Sequence, residues 1–342
     1  MAVDDGDQYW NEIYDSRYKY IEENIGKLPD DILKIMHLSG AWPGGGIYKF
    51  KANKLGNAPW VYMTFGLTNP DMPTTVIPKN VEIEAESGRS ESTSFTLEKK
   101  QNVPSYPGRH GYGYELVVVT EEDEEWPLWF LQWAVEAELI NDVDILGRVE
   151  KYNGLTVEDI YVGDAGMVNV LFQKAEKPFP EKIELPKGPS TFIIATVVTD
   201  DEMIWSKFNG REKLAKKLDE NKIGQISNVK RSSIFYPNGI DYAKITSRDV
   251  AADMSEQGLL RKTYLFPLEF GGQEMDANTV YIPKDAFIQK QMFEQKVMQA
   301  AQNGLIENYT ATPEYKGDSF VPSKLSLKAT GKNSLEIVIS IF

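Results

Sequence analysis

The 342-residue sequence contains no cysteine and only two histidines, so it lacks the residues from which most zinc sites and thiol active sites are built. Disulfide bonds and thiolate chemistry are excluded, and the lack of cysteine fits a reducing compartment. No run approaches the ~20 apolar residues that a membrane span needs. Residues 1–7 are acidic, whereas a signal peptide opens with basic residues. We therefore expect a soluble, cytoplasmic protein without metal or cofactor.

Sequence signatures of catalysis are missing as well. His37 and His110 lie far apart in the chain and have no partner at metal-ligand spacing. No G-x-S-x-G or H-E-x-x-H motif occurs. The glycines of residues 44–49 and 111–116 do not have the register of a phosphate-binding or dinucleotide-binding loop, and we interpret them as turns or close backbone packing. We predict no enzymatic activity and no catalytic residue. A hydrolase with an unrecognised carboxylate site is the remaining enzymatic alternative.

Acidic and aromatic residues are abundant. The chain has 51 Asp and Glu against 37 Lys and Arg, together with 7 Trp, 17 Tyr and 15 Phe. Most of the net charge of −14 precedes Pro237, because residues 1–236 hold 38 acids and 26 bases and the rest hold 13 and 11. The negative electrostatic field of such a chain favours solubility, repels nucleic acid and speeds the encounter with basic partners. The composition therefore favours a basic protein partner over nucleic acid or a membrane.

The chain length predicts two domains, and the turn signal at residues 237–239 places their boundary. We predict domains at 1–236 and 240–342. The fold class is α+β or mixed α/β, with a mixed sheet flanked by helices followed by a smaller α+β domain. Periodicity predicts helices over 10–25, 28–36, 126–140, 203–208 and 284–303 and strands over 60–67, 112–119, 167–173, 190–199, 234–236, 263–270, 279–282, 323–329 and 335–342, with an exposed hairpin over 80–97.

The sharpest surface feature is the run of five acids at residues 121–125, directly before Trp126-Pro127. Proline suits a first helical turn, and acids placed there complement the helix dipole. The run is therefore a solvated helix entry or a docking patch for basic groups. The apolar helix that follows should belong to the core, so its tryptophans are structural before they are functional.

Five ordered segments resemble the Suppressor of fused family. They are the Phe-Gly-Leu of residues 65–67, the Gly-Tyr-Gly-Tyr-Glu-Leu of 111–116, the Trp-Pro of 126–127, the Thr-Phe strand from 191 to 199, and Trp205 with the Asn-Gly pair of 209–210. The resemblance covers about residues 30–236 and leaves the second domain unplaced. It implies a mixed α/β domain that binds proteins and has no catalytic activity.

The short second unit is more similar to the bacterial members of this family, many of which resemble immunity proteins. The leading hypothesis is therefore a two-domain immunity protein that occludes a toxin, with the second domain as a further binding module. An adaptor that binds a cellular protein or an extended peptide is the alternative. The candidate partner-binding residues are Glu121, Glu122, Asp123, Glu124, Glu125, Trp126, Trp42, Tyr112 and Tyr114.

Overall fold

Residues 5–38, 41–79, 94–101, 108–186 and 188–342 are described by a computed structural model. The chain divides into two units, the first of residues 1–199 and 206–234 and the second of residues 200–205 and 235–342. Whether 1–236 and 240–342 fold separately remains a prediction, tested below.

Helices and strands alternate irregularly along the chain. The helices are α1 Asp5–Asn24, α2 Trp126–Asn141, α3 Ile145–Tyr152, α4 Asp200–Asn209, α5 Arg211–Glu220, α6 Arg248–Glu256 and α7 Lys284–Gln302. The strands are β1 Gly46–Lys51, β2 Trp60–Phe65, β3 Thr74–Lys79, β4 Ser94–Lys99, β5 Tyr114–Thr120, β6 Leu155–Tyr161, β7 Met167–Lys174, β8 Lys182–Leu185, β9 Gly188–Val198, β10 Arg261–Tyr264, β11 Thr279–Ile282, β12 Ile306–Glu314, β13 Lys324–Gly331 and β14 Ser334–Ser340. None of these helices is long and apolar enough to cross a membrane.

The first unit is built on a mixed sheet with the strand order β1-β2-β5-β9-β7-β6, to which β8 adds beside β9. The β5–β9 pair is parallel, and the other pairs are antiparallel. Successive side chains of a strand point to opposite faces, so a central strand that is apolar throughout can serve two cores. In β5, Leu116 and Val118 enter one core, whereas Val117 and Val119 enter the other.

Helices cover both faces of this sheet. Ile13 and Ile21 of α1, with Ile25 directly after the helix, pack on one face of the sheet, and all three are fully buried. Phe130 and Leu131 bring α2 to the opposite face, where α3 packs as well. Pro127 stands in the first turn of α2, and Asp144 caps α3 by accepting a hydrogen bond from the Gly147 N–H at 3.2 Å. The predicted mixed sheet flanked by helices is confirmed.

The second unit has its own core. A three-stranded antiparallel sheet with the order β12-β13-β14 packs against α7, and the β10–β11 hairpin and α6 complete the unit. From α7, Phe293 and Val297 join Leu325, Leu327 and Ile339 of the sheet. The predicted α+β character with one principal helix is confirmed.

Several local predictions were wrong. Residues 28–35 are irregular rather than helical, with bends at 30–31 and a single backbone bridge from Leu33 to Ile47 at the edge of β1; only Met36–Leu38 forms a 3₁₀ turn. Residues 234–236 form no strand. The strand predicted over 263–270 ends at Tyr264, since the Asn278 side chain bonds the Phe266 N–H and carbonyl and bends the chain. The predicted hairpin over 80–97 falls mostly on residues 80–93, outside the described residues; β4 lies at its end.

Candidate partner-binding surface

The acidic run lies on the surface where β5 ends and α2 begins. Glu121, Glu122, Asp123 and Glu125 are exposed, and Glu124 is half-buried. Within the described part of the chain, Asp123 is the only one of the five that forms an ion pair, and its partner is Lys49. The other four carboxylates are therefore available to basic groups from outside.

A buried tyrosine fixes the backbone of this run. The Tyr62 hydroxyl donates to the Glu124 carbonyl at 2.6 Å and accepts from the Glu124 N–H at 2.7 Å. Desolvation raises the pKa of Tyr62 to about 12, so the hydroxyl remains a donor at neutral pH. Thr120 adds a bond from its hydroxyl to the Glu122 carbonyl at 2.6 Å. The acids thus project from an ordered turn.

An apolar groove lies at the N-terminal part of α2, the helix into which the acidic run leads. Its volume is about 240 Å³, and its walls are segment 33–37, which ends in the 3₁₀ turn, and one side of α2. The lining residues are Leu33, Lys34, Ile35, Met36, His37, Ile47, Leu128, Trp129 and Gln132. We call this the α2 groove.

Large apolar side chains at the α2 groove are exposed to solvent. Met36 is 80% exposed, Trp129 51% and Leu33 47%. A single exposed apolar residue is ordinary, but several together mark contact surfaces. Trp129 lies over Gly163, where an added Cβ would come within 3.0 Å of the indole nitrogen. The indole is thus supported from beneath while half of it faces water.

Polar contacts join the two walls of the α2 groove. The His37 Nε2 lies 2.5 Å from the Glu136 Oε1, and the Gln132 amide donates to the same oxygen at 3.1 Å. His37 therefore ties segment 33–37 to α2. The second histidine, His110, is buried between the Tyr9 hydroxyl and the Pro186 carbonyl.

The four aromatic residues among the candidates are core residues. Their exposed fractions are 2% for Trp42, 5% for Tyr112, 1% for Tyr114 and 4% for Trp126. They are buried because they belong to the cluster that joins α2 to the sheet. Trp126 is thus not an exposed anchor beside the acidic run; Trp129, one turn later, has the exposure that such a role needs. We do not include these four in the proposed interface.

The Trp42 loop owes its three glycines to close packing. An added Cβ at Gly45 would stand 2.2 Å from the Trp42 ring, and one at Gly44 would stand 2.7 Å from the Trp10 ring. At Gly46 it would stand 2.5 Å from the Ile32 side chain, and at Gly66, in the loop after β2, 2.7 Å from the Gly45 Cα. The glycine run therefore lets two loops meet.

A buried ion pair that the sequence did not predict holds the Phe-Gly-Leu and Gly-Tyr-Gly-Tyr-Glu-Leu segments together. Arg17 of α1 and Glu115 of β5 are both fully buried, with the Arg17 Nη1 3.1 Å from the Glu115 Oε1. The Glu115 carboxylate also accepts from the N–H groups of Gly66 at 3.0 Å, Leu67 at 3.3 Å and Thr68 at 3.1 Å. Its role is structural: it binds α1 and the loop after β2 to the sheet.

Arg17 has further acceptors. Its guanidinium donates to the Thr68 hydroxyl and to the Asn69 Oδ1 at 2.8 Å, and it stacks 3.8 Å from the Phe65 ring centroid. Desolvation lowers the pKa of Arg17, and the charge of Glu115 opposes that shift. In the sequence, Arg17 falls at helical spacing among the apolar residues of α1. This position was the one signal from which a buried charge could have been predicted.

A family model for the Suppressor of fused protein matches residues 45–232. This stretch is more than half of the chain and contains the acidic run, α2 and the Glu115 strand. The chain belongs to the Suppressor of fused family. The resemblance seen in the five sequence segments is confirmed, and the wall of the α2 groove at 33–37 precedes the matched region.

Solved structures similar to the Suppressor of fused domain include a protein described as a homologue from Neisseria gonorrhoeae, at 13% identity and a TM-score of 0.41, covering 66% of this chain and 97% of that one. The Sufu–Fu complex matches at 16% identity and a TM-score of 0.36, over 66% and 92% of the chains. Drosophila Suppressor of Fused matches at 14% identity and a TM-score of 0.31, over 68% and 52%. No curated protein matches the chain.

Proposed function

We propose that this protein is a non-catalytic, stoichiometric protein-binding protein, and more specifically an immunity protein that neutralises a cognate toxin by covering it. Membership of the Suppressor of fused family supports protein binding, since a family member has been solved as the Sufu–Fu complex. The observation that carries the proposal is the α2 groove, which has exposed apolar side chains and lies on the helix that follows the acidic run, where four carboxylates form no ion pair with any described residue.

The two parts of this surface would have different tasks. Well-packed aromatic and apolar anchors supply most of the binding energy of protein interfaces, and Trp129 and Met36 are the exposed side chains suited to that. Charges at the rim mainly raise the association rate and set its salt dependence. We therefore expect Glu121, Glu122 and Glu125 to attract a basic partner that the α2 groove then holds.

The first experiment tests the toxin relationship. The product of the gene directly upstream would be expressed alone and together with this protein, followed by purification of any complex. We expect growth inhibition by the neighbouring product alone, rescue by co-expression and a complex of fixed stoichiometry. A neighbour that is harmless, or that is rescued without forming a complex, contradicts the immunity function. A harmless neighbour that nevertheless binds supports the adaptor alternative.

The second experiment tests the surface. Met36→Ser with Trp129→Ser should speed dissociation of the purified complex at least about tenfold, as expected when anchor residues of an interface are lost. Neutralising residues 121–125 to Gln and Asn should slow association several-fold at low salt and leave dissociation and the melting temperature nearly unchanged. Tyr161→Ser, at an exposed aromatic residue of β6, is the matched control and should change neither rate. Unchanged kinetics in both groove and acidic variants would place the interface elsewhere.

The enzymatic alternative has a direct test. Purified protein would be assayed against ester, phosphodiester and peptide substrates with and without a chelator. Turnover that survives purification to homogeneity and disappears in a carboxylate variant would contradict the non-catalytic proposal.

A further inference from the structure

A second pocket in the first unit lies on the sheet face that α1 also covers. Its volume is about 240 Å³. Val119 of β5, Gln173 of β7 and Ile194 of β9 form its floor, and α5 with the turn 222–226 forms one wall. The residues lining it share no member with the α2 groove. We call it the α5 pocket.

Hydrogen bonds fix the turn 222–226 of the α5 pocket to the neighbouring strands. The Gln225 side chain accepts from the Glu176 N–H and donates to the Lys174 carbonyl, both at 2.8 Å. The Ser227 N–H donates to the Val119 carbonyl at 2.7 Å, which ties the end of the turn to β5. Because both wall segments are attached to sheet strands, the pocket is formed without a ligand, as most small-molecule sites are.

The chemistry of the lining limits what the α5 pocket can hold. The lining is largely apolar, with Leu55, Pro59, Val119, Phe179, Ile194, Ala215, Ile223 and Ile226. The Gln173 side-chain amide has no hydrogen-bond partner among the described residues and is half-buried in the floor. Two acids and two lysines stand at the pocket, so their charges cancel. Size is a further limit: an apolar cavity of about 150 Å³ accommodates benzene, so this one admits a bicyclic ring.

We propose that the α5 pocket binds a small, uncharged aromatic molecule of about bicyclic size that carries one hydrogen-bonding group for Gln173. The proposal is independent of the protein-binding function of the α2 groove. The ring would lie on the apolar floor, and its polar atom would meet the amide of Gln173. A ligand carboxylate would gain nothing from a mouth whose lysines are matched by Glu176 and Asp219.

Indole is the probe for the test, measured by calorimetry and by ligand-observed NMR. We expect saturable one-to-one binding and a melting temperature that rises with indole concentration, because the ligand binds the folded state. Ala215→Trp fills the pocket from α5 and should abolish binding, and Ala215→Leu should weaken it. Lys213→Trp adds the same bulk at an exposed position of α5 outside the lining and should bind indole as the wild type does.

Gln173→Leu separates the polar contact from the apolar one, since it should weaken indole and leave naphthalene binding unchanged. Any of three results overturns the proposal: no saturable binding up to the solubility limit of indole, binding that survives Ala215→Trp in a folded protein, or tighter binding of indole-3-acetate than of indole. The proposal is also overturned if the wild type does not bind indole but Ala215→Trp loses its protein partner, because the pocket would then hold a side chain of the partner.

Discussion

We predict that replacing Arg17 and replacing Glu115, the two partners of the buried ion pair, lower the free energy of unfolding by different amounts. Removing one partner of a buried ion pair typically costs about 3–5 kcal/mol, because the other charge is left without compensation. Glu115→Gln should reach that range. It leaves the Arg17 guanidinium with only neutral acceptors, and it directs a new N–H₂ group at donors that need an acceptor.

Arg17→Met should cost less than Glu115→Gln. The Glu115 carboxylate keeps its three backbone donors and the hydroxyls of Thr64 at 2.7 Å and Thr68 at 2.6 Å. The largest lost contact is the hydrogen bond to the charged Glu115, worth about 1.5–3 kcal/mol; the weaker bonds to the neutral Thr68 hydroxyl and Asn69 Oδ1 are lost with it. Urea unfolding of both variants, followed by circular dichroism, gives the two free energies.

The adjacent pair Lys19–Glu23 supplies the control for this prediction. It is also on α1, but it is exposed and its ends are 3.8 Å apart, so Lys19→Met should change stability by less than about 0.5 kcal/mol. The prediction assumes that the donors remaining around Glu115 compensate its charge when Arg17 is removed. It is refuted if Arg17→Met lowers the free energy of unfolding as much as Glu115→Gln does, or more.

Three further predictions concern other parts of the chain. Trp133 is half-buried against the core rather than fully buried, so Trp133→Ala should cost about half of the ~3–5 kcal/mol expected for the fully buried Phe130→Ala, measured by urea unfolding. Desolvation raises the pKa of Glu138, so the folded state binds the proton of this carboxyl more tightly than the unfolded state does. The free energy of unfolding of the wild type should therefore fall, relative to that of Glu138→Gln, as pH rises from about 4.5. A difference between the two proteins that does not change with pH contradicts this. Limited proteolysis should cut at residues 237–239 and leave two protected fragments.

Much of the fold could be predicted because its elements carry strong local patterns. The Val-Val-Val of β5 is apolar on both sides and became the strand that serves two cores. Pro127 after an acidic run correctly predicted that α2 begins at Trp126. In contrast, β1, β6, β8 and β12 were not predicted. They take much of their stability from pairing, and β12 alternates exposed and half-buried residues without a clear apolar period.

The candidate surface was predicted only in part. A run of acids is visible in any sequence, and its exposed position at residues 121–125 is as expected. The aromatic candidates could not be sorted into core and surface, because Trp126 and Trp129 differ by less than one helical turn and only packing decides which faces solvent. Residues 28–36 were predicted to be a helix, so the contribution of segment 33–37 to the α2 groove was not foreseen. Glu115 looked like an ordinary strand residue because its donors come from a distant loop.

The backbone bridge between Leu33 and Ile47 protects the protein as well as shaping a groove. A strand at the border of a sheet displays unpaired N–H and carbonyl groups that recruit strands from other molecules. The Leu33 N–H and carbonyl occupy those of Ile47, at 3.0 and 2.8 Å, so part of the β1 border is already taken. In the proposed interface, a partner would dock against segment 33–37 in place, because displacing the segment would expose the unpaired backbone groups of Ile47. Leu33 thus belongs both to the protected border of β1 and to the lining of the α2 groove.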